Sequence, residues 1–251
     1  MPKSDADGLY QVPLDYEALL GAPGDDLPFY LGLAKAAGGE VLDLATGAGR
    51  VALALAGAGH KVCGLDSSRP MLDRARLQAQ AQGLKVDWAQ ADLRDFDLER
   101  CFALVLLPYN GLQHLHHAAD LDAFFACLRR HLNSGGRFAL DVHLPQPSLL
   151  ARDPDEWFGV EAGPQTVQGW QVQAERSAYE PATQVLTQTW RLSGPQGAQR
   201  DVHLALRQFF PQELRALLQA QGFKVRQQHG GFKGQPLGRS ALKQVLLAER
   251  I

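Results

Sequence analysis

A short apolar strand that runs into a glycine turn constrains the fold of this chain more than any other feature. The segment VLDLATGAGRVALALA, residues 41–56, combines a strand, a turn with two glycines and the start of an amphipathic helix. Buried strands of parallel sheets are nearly continuous apolar runs, so the carboxylate of Asp43 is unexpected there. Gly47 and Gly49 lack the Cβ that keeps a backbone away from its neighbours. We therefore expect a ligand to approach the end of this strand.

From residue 38 onward, short apolar runs alternate with amphipathic segments. The predicted strands are 40–45, 61–66, 85–90, 102–108 and 136–144, and the predicted helices are 50–58, 69–82 and 120–132. Strands that alternate with helices indicate a doubly wound α/β sheet. Two further helices, at 14–20 and 26–39, precede the first strand, and we expect them to lie over the sheet edge as a cover for the ligand cleft.

After Pro145 the pattern changes. Three segments, GWQVQAE, VLTQTWRL and DVHLALRQFF, have strand character and are separated by the turn-like YEPAT and SGPQG. They predict an antiparallel β meander inserted into the α/β domain. The chain then returns to a helix, a strand, a glycine-rich turn and a final strand.

Composition excludes several classes of partner. The formal charge is -2, from 25 basic and 27 acidic residues, so a nucleic acid is not expected as a partner. The N-terminus has no apolar signal-peptide core, and no apolar run approaches the ~18 residues of a membrane span. The three cysteines, Cys63, Cys101 and Cys127, lack metal-ligand spacing, and we expect reduced, buried thiols and a cytoplasmic location.

Two kinds of nucleotide cofactor compete for this architecture. Asp66 ends the second strand about 20 residues after the glycine turn, where an acid binds ribose hydroxyls. Residues 47–52 also satisfy the G-x-G-x-x-A pattern of dinucleotide sites. However, Asp43 lies inside the first strand and no second mononucleotide half follows, so an NAD-dependent oxidoreductase is the weaker alternative.

The segment VLDLATGAGR resembles motif I of the class I S-adenosylmethionine-dependent methyltransferases. GLDSSRPMLDRAR resembles the strand-two acid and the helix after it, AQADLRDFDL is similar to the adenine-binding segment, and FALVLLPYNGLQHL is similar to motif IV of the small-molecule members. The closing GFKGQPLGRSALKQVLLAER resembles the terminal hairpin of that family. The resemblance implies a Rossmann-like, doubly wound, seven-stranded α/β sheet with an antiparallel last strand, plus the inserted antiparallel β meander.

The resemblance also implies a set of cofactor-binding residues for S-adenosyl-L-methionine. In it, Asp66 binds the ribose, the backbone from Ala45 to Gly49 holds the methionine part, and Leu107 lines the floor beneath the sulfonium. Asp92 and Leu93 bind the adenine, through the carboxylate and a backbone amide. The complete set is Asp43, Ala45, Thr46, Gly47, Gly49, Asp66, Ser67, Met71, Asp92, Leu93 and Leu107.

We interpret the chain as a methyltransferase that transfers a methyl group to nitrogen or oxygen of a small-molecule acceptor by direct in-line displacement. A dedicated base is optional, and the candidate catalytic residues are Tyr109, Asn110, His114 and His143. No metal is expected, because no cysteine or carboxylate set accompanies the histidines after motif IV. A catalytically silent cofactor-binding scaffold or regulator is the alternative. The oligomeric state stays open, a homodimer included.

The expected organisation has four parts. An N-terminal helical cover spans 1–37 and a cofactor-binding α/β core spans 38–150, followed by the meander at 151–207 and the end of the α/β core at 208–251. The meander and the cover would together close the acceptor cleft.

Overall fold

The computed structural model describes Tyr10 and residues 25–160, 166–167 and 169–251. The helix predicted at 14–20 lies outside these residues. Within them, no helix combines the length and the apolar character that crossing a membrane requires.

A seven-stranded sheet forms the centre of the fold. Its strands are β1 (Val41–Leu44), β2 (Val62–Asp66), β3 (Asp87–Gln90), β4 (Phe102–Leu107), β5 (Leu132–His143), β11 (Phe223–His229) and β12 (Lys243–Arg250). Their order in the sheet is β11-β12-β5-β4-β1-β2-β3. The pairs from β5 through β4, β1 and β2 to β3 are parallel, and β12 is antiparallel to both its neighbours. The predicted doubly wound sheet with an antiparallel last strand is confirmed.

Helices cover both faces of this sheet. They are α1 (Leu27–Ala37), α2 (Arg50–Gly57), α3 (Arg69–Ala81), α4 (Ala118–His131), α5 (Pro147–Leu150) and α6 (Pro211–Ala220). Helices α4 and α6 pack on one face, whereas α1 and α2 pack on the other. The predicted helix at 26–39 thus lies on a face of the sheet and not over its edge, because Tyr30 and Ala34 bury an apolar stripe against the strands.

Strand alternation decides which face each side chain reaches. In β1, Val41 joins the apolar cluster under α1 and α2, while Leu42 joins the cluster under α4. Asp43 therefore points to the α1 face. In β5, Ala139 lies in the same cluster as Val41, so Asp141 shares that face. Two acids in apolar strands thus meet the same helices.

Two further sequence expectations differ from the structure. Strand β5 begins at Leu132 and not at 136, because the segment NSGG stays within the strand as an irregularity in its pairing with β4. Gly135 accommodates this with a left-handed φ of 68°. Cys101 is exposed, although Cys63 and Cys127 are buried, because it lies just ahead of β4 where the chain is still at the surface.

The meander forms a separate antiparallel sheet. Its strands are β6 (Phe158–Gly159), β7 (Thr166–Val167), β8 (Trp170–Glu180), β9 (Val185–Ser193) and β10 (Gln199–Arg207). The order is β10-β9-β8-β6, and β7 also pairs with β8. Strands β6 and β7 have two residues each, too few for an alternating pattern to predict them.

Candidate active site

The turn after β1 has a backbone that approaches the cleft closely. Ala45, Gly47 and Gly49 have left-handed φ values of 50°, 56° and 86°. A Cβ on Gly47 would meet nothing within 4 Å, so open space lies beside it. A Cβ on Gly49 would lie 2.8 Å from the Trp88 ring and 3.0 Å from Ala75. The missing side chain therefore leaves room at the cleft at Gly47 and allows internal packing at Gly49.

Asp66 ties the end of β2 to this turn. One carboxylate oxygen accepts the Gly47 N–H at 2.8 Å, and the other accepts the Ser68 N–H at 2.8 Å. Burial raises the pKa of Asp66, and these backbone hydrogen bonds oppose the rise. Asp66 is half-buried as a residue, and the neighbouring Ser67 is exposed. Oxygen lone pairs are thus presented beside the glycine turn.

Asp43 lies beneath the turn and is only 1% exposed. Its Oδ2 accepts the Thr46 hydroxyl at 2.5 Å. Burial raises its pKa from 3.8 to about 7, against the opposing effects of this hydrogen bond and of Arg50. Among the described residues, Oδ1 has no hydrogen-bond partner. The turn therefore contains a buried acceptor with unused capacity.

Two residues of the predicted adenine segment follow β3. The Asp92 carboxylate accepts hydrogen bonds from the Arg94 guanidinium at 2.8 and 2.6 Å, and Arg94 also reaches Asp120 at 3.0 Å. This pairing lowers the pKa of Asp92. Leu93 is half-buried against the core. Asp92 is therefore a charged carboxylate held by Arg94.

Two predicted cofactor residues lie below the surface of the cleft. Met71 and Leu107 are 1% and 0% exposed. Gly111 covers Leu107 so closely that a Cβ there would overlap the leucine side chain. Neither side chain contributes surface to the cleft in this conformation.

The segment after β4 forms the opposite wall. Tyr109 and Asn110 have left-handed φ values of 51° and 67°, and the Tyr109 N–H donates to Asp141 Oδ1 at 2.8 Å. Asn110 is 6% exposed, and its Nδ2 lies 3.3 Å from His143 Nε2. Its Oδ1 has no partner among the described residues. Two consecutive non-glycine residues with positive φ are uncommon and are typical of functional sites.

Tyr10 connects the two walls. Its carbonyl oxygen accepts the Ser68 hydroxyl at 2.8 Å, and its own hydroxyl lies 3.0 Å from His114 Nε2. Burial raises the pKa of Tyr10, and the nearby Asp66 raises it further. Burial also lowers the pKa of His114 from 6.5 to about 4, so its ring is neutral at neutral pH.

Sequence analysis did not assign a site role to Asp26, Arg50 or Asp141, which lie on the α1 face; Asp26 and Asp141 are buried and Arg50 is half-buried. The Arg50 guanidinium binds Asp26 through two hydrogen bonds of 2.8 and 2.5 Å. The Tyr30 hydroxyl donates to Asp141 Oδ1 at 2.6 Å. Asp141 could have been identified from the sequence, because it is an acid inside the apolar run RFALDVHL, just as Asp43 is an acid inside an apolar strand.

The meander is fastened to the acceptor wall through its edge strand β10. Gln113 Nε2 donates to the Arg207 carbonyl at 2.7 Å, and His116 Nε2 lies 3.0 Å from the Ala205 carbonyl. Gln113 Oε1 also accepts the His143 N–H at 2.9 Å. A cavity of about 480 Å³ between the start of α4 and the β8–β9 hairpin is lined by none of the predicted site residues.

Comparison with known proteins finds a methyltransferase domain in this chain. Residues 41–136 match the family model described as a methyltransferase domain. An S-adenosyl-L-methionine-dependent Diels-Alderase of Talaromyces variabilis is 37% identical over 111 residues, which are 43% of this chain and 37% of that protein. The chain thus matches well under two thirds of the length of this curated relative.

Solved structures match over a greater length. The CcbJ methyltransferase of Streptomyces caelestis has a TM-score of 0.79 and 26% identity, with 92% of this chain and 91% of that chain covered. The sugar N-methyltransferase KedS8 of Streptoalloteichus has a TM-score of 0.68 and 20% identity, with 94% and 91% covered, and supports the fold. From the matched domain, the sheet order and the glycine turn with Asp66, we conclude that residues 41–136 form a methyltransferase domain with the class I fold and with S-adenosyl-L-methionine as cofactor.

Proposed function

We propose that this protein transfers the methyl group of S-adenosyl-L-methionine to nitrogen or oxygen of a small-molecule acceptor. One observation carries the proposal. The glycine turn beside Asp66 and the polar segment after β4, in which Asn110 Oδ1 has no hydrogen-bond partner among the described residues, lie at the same edge of the sheet. In open α/β sheets, ligands bind at the carboxyl ends of the strands, where the strand order reverses. Here that point lies between β1 and β4.

The residues present fit the cofactor. Open space beside Gly47 allows the backbone to approach it, and the unpartnered Asp43 Oδ1 leaves acceptor capacity beneath the turn. Asp66 would accept the ribose hydroxyls while it holds the turn through Gly47 N–H. Ala45 and Thr46 complete the cradle for the methionine part, and the bound cofactor supplies a methyl group on positively charged sulfur.

On the adenine side, Asp92 and Leu93 would bind the base and Ser67 would lie near the adenosine. Arg94 acts as a positioning residue there, because its guanidinium fixes the Asp92 carboxylate. Asp120 holds the other end of Arg94 and so links this loop to the first turn of α4.

On the acceptor side, Tyr109, Asn110, His114 and His143 would line the position of the reacting atom. Their main contribution is orientation, which can supply about 7–11 kcal/mol of a barrier when both reactants are held in line. We assign the shape of this pocket to the meander, which β10 anchors against Gln113 and His116.

A small-molecule acceptor is supported by charge and by relatives. The net charge of -2 offers little attraction to a phosphate backbone. The structural neighbour KedS8 is named a sugar N-methyltransferase, which is a small-molecule activity. Salt-sensitive, micromolar binding of RNA or DNA in a gel-shift titration would contradict this assignment.

A second function deserves a test because one relative is named a Diels-Alderase. A protein of this fold can bind S-adenosyl-L-methionine without transferring its methyl group. Intact Gly47 and Asp66 support cofactor binding under both functions, so only product analysis separates them.

The decisive experiment combines binding with product detection. Calorimetry should show binding of S-adenosylhomocysteine to the full chain and none of NAD, which tests the oxidoreductase alternative. Incubation with methyl-deuterated cofactor and a small-molecule metabolite extract should then yield a metabolite heavier by one labelled methyl group. Cofactor binding without any labelled product would favour the non-transferring function.

A further inference from the structure

The side chain of Asn110 is buried, and its carbonyl oxygen makes no hydrogen bond among the described residues. Asn110 is 6% exposed, and its Nδ2 contacts His143 Nε2 at 3.3 Å. A buried carbonyl oxygen without a donor is destabilising, and in native proteins such an atom calls for an explanation, of which a role in the functional site is one. We therefore expect the molecule that accepts the methyl group to donate a hydrogen bond to Asn110 Oδ1.

Both histidines that could serve as bases hold Nε2 in a hydrogen bond. An amide NH2 only donates, so the Asn110 contact occupies the lone pair of His143 Nε2. The Tyr10 hydroxyl keeps its proton because burial raises its pKa, and it lies 3.0 Å from His114 Nε2, so this nitrogen is engaged in a hydrogen bond in either tautomer of the ring. Neither Nε2 can take a proton from an acceptor unless one of these contacts breaks.

These contacts distinguish a hydroxyl from an amine. A hydroxyl is a poor nucleophile until a base removes its proton, and after that it has no hydrogen left to donate. A neutral primary or secondary amine attacks with its lone pair and keeps an N–H throughout. An amine can therefore react while the histidine Nε2 atoms stay hydrogen-bonded, and its N–H can donate to Asn110 Oδ1.

We propose that the methyl acceptor is a primary or secondary amine whose N–H donates to Asn110 Oδ1. This inference rests on the proposed methyl transfer. The nitrogen lone pair forms the new N–C bond as the C–S bond breaks, and the electron pair of that bond stays on sulfur. The product is a methylated ammonium that gives its extra proton to water after release. Asn110 orients the nitrogen and takes no proton.

The position of the label in the product gives the first test. The metabolite that receives the deuterated methyl group is isolated, and its attachment site is read by NMR. We expect an N-methyl product. An O-methyl product would overturn the amine inference and leave methyl transfer intact, whereas no labelled product in the presence of cofactor binding would overturn both.

Acceptor binding gives a second test that does not depend on turnover. Calorimetry measures the isolated acceptor on protein loaded with S-adenosylhomocysteine. Asn110→Gly tolerates the φ of 67° and removes the carbonyl, so acceptor binding should weaken roughly 5- to 150-fold, while S-adenosylhomocysteine affinity changes less than about twofold. Asn133→Gly, at an exposed asparagine early in β5, is the matched control and should bind like the wild type. Unchanged acceptor affinity in Asn110→Gly would remove Asn110 from the acceptor site.

The pH dependence of kcat/KM gives a third test. With an amine acceptor, the rate should rise with pH around the pKa of the free amine, about 7.7 to 10.4 for ordinary amino groups. Asn110→Asp keeps the shape but adds a negative charge that favours the ammonium, so the midpoint should move to higher pH.

A histidine base would give a different profile. Desolvation in the cleft and the nearby Lys243 lower the pKa of His143 below 6.5, and burial and His116 lower that of His114 to about 4. A base of either kind would place the midpoint below 6.5. A wild-type midpoint in that range that disappears in His143→Gln would overturn the proposal.

Discussion

Asp66 offers the sharpest test of the cofactor site because its two oxygens already have different partners. One accepts the Gly47 N–H and the other accepts the Ser68 N–H, both at 2.8 Å. Replacement by alanine removes the proposed ribose acceptor and releases the turn. A hydrogen bond to a charged group contributes about 1.5–3 kcal/mol, so Asp66→Ala should weaken binding of S-adenosylhomocysteine by roughly ten- to a hundredfold.

Asp66→Asn is the more informative variant. An amide has a single acceptor oxygen, and its NH2 would face one of the two backbone N–H groups that the carboxylate now accepts. Affinity should therefore fall nearly as far as in Asp66→Ala, within about threefold. If the carboxylate contacted only the ribose, asparagine would restore much of the affinity.

The measurement is calorimetric titration of S-adenosylhomocysteine, with melting curves to establish folding. Loss of the turn contacts should also lower Tm by about 4–12 °C, for about 2–3 kcal/mol of stability in a chain of this size. Asp73→Ala, an acid of α3 with a side chain 53% exposed, is the matched control and should bind normally. A folded Asp66→Ala protein with wild-type affinity would refute the role of Asp66.

Three further substitutions test other parts of the site. Burial raises the pKa of Asp43 to about 7, so between about pH 4 and 7 the folded wild type holds a proton that the unfolded chain has lost, and its stability falls as pH rises through that window. The Tm of Asp43→Asn relative to the wild type should therefore increase from pH 4 to pH 7. A constant Tm difference would contradict the raised pKa. Gly49→Ala would place a Cβ 2.8 Å from Trp88 at a φ of 86°, and should lower the stability measured by denaturant unfolding by about 1–3 kcal/mol. Tyr30→Phe removes a hydrogen bond to the carboxylate that holds the Tyr109 N–H, so hydrogen exchange of that amide should accelerate with cofactor affinity unchanged, and equal exchange would show that the hydroxyl does not support the wall.

Much of the fold was predictable because its signals are local. Apolar runs of four to eight residues alternating with helical patterns specify the doubly wound core, and β1, β2 and β4 lie within one or two residues of their predicted bounds. The glycine turn and Asp66 were predictable for the same reason: a left-handed turn selects glycine, and an acid at a strand end lies at a fixed distance along the chain. These properties belong to short stretches of sequence.

Only the tertiary structure decided which groups meet. Asp141 lies 32 residues from Tyr109 and 111 from Tyr30, and only the packing of α1 on the sheet brings the three together. The same holds for Gly49, whose missing side chain accommodates Trp88 from β3, a neighbour that the glycine pattern does not specify. The unused Asn110 oxygen and the occupied histidine nitrogens are likewise products of long-range contacts. A sequence specifies local conformation through the steric and hydrogen-bonding preferences of adjacent residues. The partners of a buried polar atom depend instead on how distant elements pack, because such an atom needs a partner from whichever element covers it.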